Sequence, residues 1–207
     1  MFRPWKPKNA ILLNMEDISL FLSTHKSVII ILHAIGAAIG VGTATLSDFT
    51  FFNFLKDGSI SAKESSVFRI FTRTIWIALA MLVLSGIALF LSDPGTYTQS
   101  AKFIVKMIIV LVLVLNGLFM TFFLHGNMRF ITFASKKHRM IKRVSFASGA
   151  ISISSWYLAF LLGSFRSIPI TVGTALLVYL GILIVGVISS QMLYKRYERR
   201  YRQEVNI

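Results

Sequence analysis

Residues 27–47 read SVIIILHAIGAAIGVGTATLS, and His33 is the only ionisable side chain among them. A helix needs roughly 20 mainly apolar residues to cross the hydrocarbon core of a bilayer. Four further stretches meet this requirement, at residues 74–92, 107–124, 144–165 and 168–193. The sequence therefore predicts an all-α, polytopic bundle of five transmembrane helices in contact with the lipid bilayer.

The composition also favours a membrane protein. Hydrophobic residues make up 55% of the 207 residues and charged residues only 14%, which is too little polar material to coat a soluble globule. The net charge of +14 comes from short basic runs between apolar stretches, so we expect no nucleic-acid partner. The absence of cysteine excludes disulfides, thiolate metal sites, iron–sulfur clusters and covalently attached c-type haem.

Lysine and arginine are unequally distributed between the two sides of the bundle. Basic runs follow the first, third and fifth spans, and fewer basic residues lie on the opposite side. Short loops rich in these residues stay in the cytoplasm. This asymmetry predicts an external N-terminus, a cytoplasmic C-terminus and a multi-pass protein of the plasma (inner) membrane. We expect its basic cytoplasmic face to bind anionic lipids.

The chain divides into three predicted segments. Residues 1–26 form a retained leader, which contains either a short interfacial helix or a frayed segment. Residues 27–194 hold the five spans, and residues 195–207 form a basic cytoplasmic tail. Ser61 and Glu64 have the S-x-x-E spacing of a capping box, which predicts a helix start before the second span.

Few polar residues lie at membrane depth, where burial is costly and often marks function. His33 and Lys106 lie in the outer halves of the first and third spans. Gly36 and Gly40 follow His33 at helical spacing and predict close helix packing, with direct cofactor contact as the alternative. Lys106 either snorkels towards the membrane surface, pairs with an acceptor or binds an anion.

Depth along the helices decides which of these groups can meet. Asp48 and His125 lie near the cytoplasmic ends of the first and third spans, and Asn116 lies near mid-membrane. At about 1.5 Å per residue, His33 and Asp48 are separated by about 22 Å along the helix axis. His33 and His125 are therefore too far apart to ligate one haem within a subunit, although a homo-oligomer would bring two copies of His33 together.

Serines are dense in the fourth span. Their predicted role is close helix packing, and lining a cavity is the alternative. They are Ser145, Ser148, Ser152, Ser154 and Ser155.

Two short segments carry a family resemblance. Leu32-His33-Ala34-Ile35-Gly36 and Lys106-Met107 resemble the CopD-like superfamily, and within it the HemJ-type protoporphyrinogen oxidases. The resemblance implies haem b, with His33 as axial ligand of the iron and Lys106 beside a propionate or a substrate carboxylate. Met107 or Met81 would then supply a second axial ligand, with an open position as the alternative, and Lys106 and Asn116 are the candidate catalytic residues.

The sequence is consistent with three classes of function, and it does not decide whether the protein is an enzyme. The first is a haem-b- or porphyrin-associated redox protein. The second is a transporter or channel for protons or a small solute, in which Asp48 and His125 extend the path of polar residues from His33, Lys106 and Asn116. The third is a structural or assembly subunit whose polar residues only join helices.

Overall fold

Helices make up almost all of the chain that the computed structural model describes, which comprises residues 10–55, 61–124, 139–165 and 171–205. In chain order they are α1 (Ala10–Thr24), α2 (Lys26–Phe54), α3 (Ala62–Ser92), α4 (Pro94–Thr98), α5 (Ala101–Phe119), α6 (Arg139–Ser164) and α7 (Val172–Val205). A π-helical turn, Met120–Leu124, extends α5. Within the described residues, α2, α3, α5, α6 and α7 are long and apolar enough to cross a membrane. The predicted number of spanning helices is confirmed.

The spanning helices extend beyond their apolar stretches. At the start of α3, Ser61 Oγ accepts a hydrogen bond from the Glu64 N–H at 3.3 Å, and the Ser61 N–H donates to Glu64 Oε2 at 2.7 Å. The predicted capping box is confirmed, and it starts the helix well before residue 74. Similarly, α7 continues to Val205 through most of the predicted tail, because that segment contains no proline or glycine to end it.

The first helix, α1, forms where the sequence predicts a short helix, and it packs against α3. Its side chains Leu20 and Phe21 are exposed. Large apolar side chains on the surface of a short helix are typical of contact with lipid or with another protein. Its place at the membrane interface stays a prediction.

Spanning helices that follow one another in the chain pack as antiparallel neighbours. α2 lies along α3, α6 lies along α7, and α6 also contacts α2 and α5. Ser155 Oγ and the Tyr179 hydroxyl are 2.8 Å apart, and further along the same pair the Arg143 Nε donates to Gln191 Oε1 at 3.2 Å. These contacts confirm the antiparallel pairing predicted for the fourth and fifth spans. We call the end of the bundle where α2 begins the His33 end and the opposite end the Asp48 end.

Two apolar clusters organise the interior. The first, which we call the central layer, consists of Ala44, Ala78, Leu79, Leu82, Val105, Ile109, Leu113, Trp156, Ala175 and Tyr179. The second, the aromatic cluster, lies at the Asp48 end and consists of Phe51, Phe52, Phe68, Phe146, Tyr194 and Tyr197. One side of each cluster faces the polar residues described below, so the clusters set the limits of the site.

Two glycines of α2 allow its neighbours to approach closely. A Cβ on Gly36 would lie 3.1 Å from Met81 Cβ on α3, and a Cβ on Gly40 would overlap the Trp156 ring on α6. Trp156 is almost completely buried, with 1% of its surface exposed. The predicted role of Gly36 and Gly40 in helix packing is confirmed, because each receives a different neighbouring helix at short range.

Replacing Gly40 tests this packing, and Gly42 is a matched control because nothing lies within 4 Å of a Cβ placed there. We expect Gly40→Ala to destabilise the purified protein by about 1–3 kcal/mol, the usual cost of overpacking a filled interior. Gly42→Ala should be neutral or stabilise by up to about 1 kcal/mol, since alanine favours a helix over glycine. Thermal unfolding in detergent measures both. Equal unfolding midpoints for the two variants would contradict the account.

Candidate functional site

His33 is held on α2 by a hydrogen bond to α3. Its Nδ1 lies 2.8 Å from Ser85 Oγ, and that hydroxyl donates its proton to the Met81 carbonyl oxygen at 2.5 Å. Because a serine hydroxyl has only one proton, Ser85 accepts from His33 and Nδ1 carries the hydrogen. In the neutral imidazole this leaves Nε2 with a free lone pair, which is available to a proton or a metal.

Lys106 and Lys102 bring positive charge to the same end of the bundle. Lys106 lies close enough to His33 for their charges to interact, and its Nζ faces Gly163 of α6, where a Cβ would be 3.5 Å away. Lys102, one turn earlier on α5, donates to the Phe165 carbonyl oxygen just beyond α6. His33 and Lys106 therefore lie in the same half of the bundle.

The two methionines proposed as haem ligands occupy different positions. Met107 is about half exposed, at 51%, on the surface of α5. Met81 is partly buried on α3, where its Cβ lies close to Gly36 and its carbonyl accepts from Ser85. Met81 therefore lies on the helix face that carries the histidine's partner, whereas Met107 lies where lipid contacts are expected.

Asn116 joins α5 to α6 through a reciprocal pair of hydrogen bonds. Its amide nitrogen donates to the Ser148 carbonyl oxygen at 3.1 Å, and the Ser148 hydroxyl donates to its amide oxygen at 3.0 Å. These contacts engage both ends of the side-chain amide with one neighbouring residue. Joining helices is the common use of such a group in a membrane bundle, and the contacts account for Asn116 without a chemical step.

Asp48 lines two adjoining cavities of about 90 and 250 Å³ at the other end of the bundle. We call the two together the Asp48 chamber. Both cavities are lined by Ser47, Asp48, Phe68, Met120, Gly149 and Ile153. Within the described residues, the Asp48 carboxylate has no hydrogen bond and no ion pair. No residue that the structure describes is therefore a partner of this carboxylate, which faces the chamber.

Hydroxyl groups around the chamber add acceptors to this carboxylate. Thr72 and Thr121 line the smaller cavity, and Ser145 and Ser190 line the larger one. Each donates its own proton to a backbone carbonyl of its helix at 2.8–2.9 Å. Because the protons are used, these oxygens have only lone pairs left to offer. The chamber therefore contains the Asp48 carboxyl group and several hydroxyl oxygens that act as acceptors, which suits a cation or a donor-rich group.

Part of the central layer borders the chamber on the side of the His33 end. Ala44, Leu79, Leu113 and Trp156 belong to this layer and also line the smaller cavity. On the opposite side, Phe51, Phe52, Phe68 and Phe146 of the aromatic cluster line the larger cavity. The chamber thus lies between an apolar layer and an aromatic one.

The serines of α6 divide between the two predicted roles. Ser148 bonds to Asn116 and Ser155 to Tyr179, which is helix packing. Ser145, Ser152 and Ser154 line the chamber instead. Sequence reasoning did not assign Thr72 or Ser190 to any site, because hydroxyl residues near other polar residues carry no distinctive signal. His125, predicted to extend the path beyond Asp48, lies outside the described residues.

Metal binding by a cluster of side chains finds no support in the described part of the chain. No group of three or more histidine, cysteine, aspartate or glutamate residues comes together there. Comparisons with models of known protein families, with curated proteins and with solved structures give no match. The resemblance to the CopD-like superfamily therefore stays a prediction. We infer the function from the residues of the site instead.

Proposed function

We propose that this chain is an integral membrane protein that carries a proton or a small cation across the bilayer, with Asp48 as the binding carboxylate. The observation that supports this proposal is the unpartnered carboxylate in the Asp48 chamber. Ionisable groups at membrane depth are expensive, and they usually face a water-filled cavity or an ion path. A transported cation would supply the missing partner in each cycle.

The position of the chamber is consistent with such a cycle. Asp48 lies four residues beyond Ala44 of the central layer and within one turn of Phe51 and Phe52 in the aromatic cluster. A substrate bound there would be kept from the His33 end by the layer and from the opposite end by the aromatic rings. Transport would then require one of these two barriers to open at a time, as alternating access demands.

Neutralising Asp48 tests the proposal. In proteoliposomes with an imposed membrane potential, we expect the wild-type protein to admit protons, Na⁺ or methylammonium faster than protein-free vesicles. Asp48→Asn should lower that rate at least tenfold, because the amide keeps the shape but loses the charge. Asp17→Asn makes the same chemical change at an exposed position of α1 and should leave the rate unchanged. Wild-type rates no greater than those of protein-free vesicles, or full activity of Asp48→Asn, would contradict the proposal.

We also propose that the N-terminus lies outside and the C-terminus in the cytoplasm, with the Asp48 end facing the cytoplasm. The basic runs support this orientation. Since the chain has no cysteine, single cysteines report the side without background. A membrane-impermeant maleimide added to intact cells should label Ser167→Cys and reach Ser135→Cys only after permeabilisation. The reverse labelling pattern would overturn the orientation.

The geometry of His33 favours a second candidate function, a haem-b- or porphyrin-associated redox protein. Its Nδ1 is fixed by Ser85, and ligating histidines usually have their second nitrogen held in this way. His33 could therefore hold the iron through Nε2, with Lys106 beside a carboxylate of the porphyrin. Haem would supply one-electron chemistry when bound.

The visible spectrum of protein purified from haem-supplemented cells tests this second candidate. A Soret band should be present in the wild type and lost in His33→Ala. His25→Ala is the matched control, because His25 is exposed and contacts Phe21 instead of α3. An absent Soret band, or the same band in His33→Ala, would exclude the haem role of this residue.

A further inference from the structure

The aromatic lining of the Asp48 chamber suggests which kind of cation it takes. Phe51 and Phe52 lie three and four residues after Asp48, on the same face of α2. Both contact the Phe146 ring edge-to-face, with centroids 5.4 and 6.1 Å apart. Together with Phe68, these rings line the larger cavity. One wall of the chamber is therefore apolar and aromatic, while Asp48 and the hydroxyl acceptors are polar.

The size of the larger cavity favours an organic ligand over a bare ion. A water molecule occupies about 30 Å³ in the liquid, so a cavity of about 250 Å³ has room for several non-hydrogen atoms. A dehydrated metal ion would fill little of this space and needs several oxygen ligands around it. The phenylalanine wall supplies none. A proton alone would fill none of this space.

We propose that the Asp48 chamber binds a small primary alkylammonium ion, with its charged head at Asp48 and its alkyl chain against the phenylalanine rings. This inference rests on the proposed cation transport and names the class of cation. A primary ammonium has three N–H donors and no acceptor. The carboxylate and the lone pairs of Ser145 and Ser190 match these donors, because both hydroxyl protons are already committed to the backbone.

The charge balance supports the same assignment. Removing a carboxylate from water is costly unless an opposite charge and hydrogen bonds replace the water. The ligand's head group would supply both, and its chain would bury apolar surface at roughly 0.8 kcal/mol per CH₂. A neutral alcohol of the same shape gains the apolar contact but leaves Asp48 uncompensated.

Equilibrium binding of radiolabelled n-butylammonium to the purified full-length protein tests the inference. We expect saturable binding that unlabelled n-butylammonium displaces, whereas n-butanol and Na⁺ at the same concentration do not. Asp48→Asn should weaken the affinity at least tenfold, and Asp17→Asn should not change it. Phe51→Leu should weaken it severalfold, whereas Phe49→Leu should not, because Phe49 lies on the same helix but is 72% exposed. Unchanged thermal unfolding of each variant verifies that it is folded.

The possible outcomes separate this inference from the proposed transport. No saturable binding, equal competition by n-butanol, or unchanged affinity in Asp48→Asn would overturn the alkylammonium site. If Na⁺ or proton flux still depended on Asp48 in that case, cation transport would stand and only the substrate class would be wrong. Conversely, Asp48-dependent binding with no flux of any cation would support the site and overturn the transport.

Discussion

A carboxyl group among the apolar helices of a bundle needs a partner or solvent, and this constraint organises the Asp48 end of the bundle. Among the described residues no side chain or backbone group bonds to the Asp48 carboxylate, and the space beside it is open instead of packed. A Cβ on Gly149 of α6 would lie 3.7 Å from Asp48 Oδ1, so a small residue keeps that approach free. Keeping this carboxyl group in an open space without a partner among the described residues lowers the stability of the folded protein. We therefore assign the group to function.

Close packing elsewhere in the bundle offsets the packing contacts that the open chamber lacks. Gly40 admits the Trp156 ring against α2, and Trp156 then forms part of both the central layer and the wall of the smaller cavity. Across the same cavity, the Trp76 indole donates to Thr121 Oγ1 at 3.1 Å and joins α3 to α5. The helices are thus held together above the chamber, by apolar contact and by single hydrogen bonds, while the space around Asp48 stays clear.

Hydropathy predicted the spanning helices well, because length and apolar content are properties of each segment taken alone. The capping box at Ser61 and Glu64 was equally readable, since its two bonds join residues three apart. Axial depth also placed His33 and Lys106 in the same half of the bundle. These predictions succeed because each one depends on distance along the chain or along a helix axis.

The residues that line the chamber could not be predicted in this way. Its lining comes from five helices, and which face of each helix turns inward depends on packing between segments far apart in sequence. The α6 serines show the difficulty, because Ser148 and Ser152 are one turn apart yet one joins helices and the other lines the cavity. The sequence likewise did not predict that Phe51 and Phe52 line the chamber, because phenylalanines near a helix end are common at membrane surfaces.

The central claim is that the Asp48 carboxyl group has no partner among the described residues and is accessible within the chamber. Dicyclohexylcarbodiimide, which modifies protonated carboxyl groups in apolar surroundings, tests this claim when the modified residue is identified by peptide mass spectrometry. The account predicts modification at Asp48 that slows as n-butylammonium is added. No modification at Asp48 across the accessible pH range, or modification that no cation slows, would contradict it.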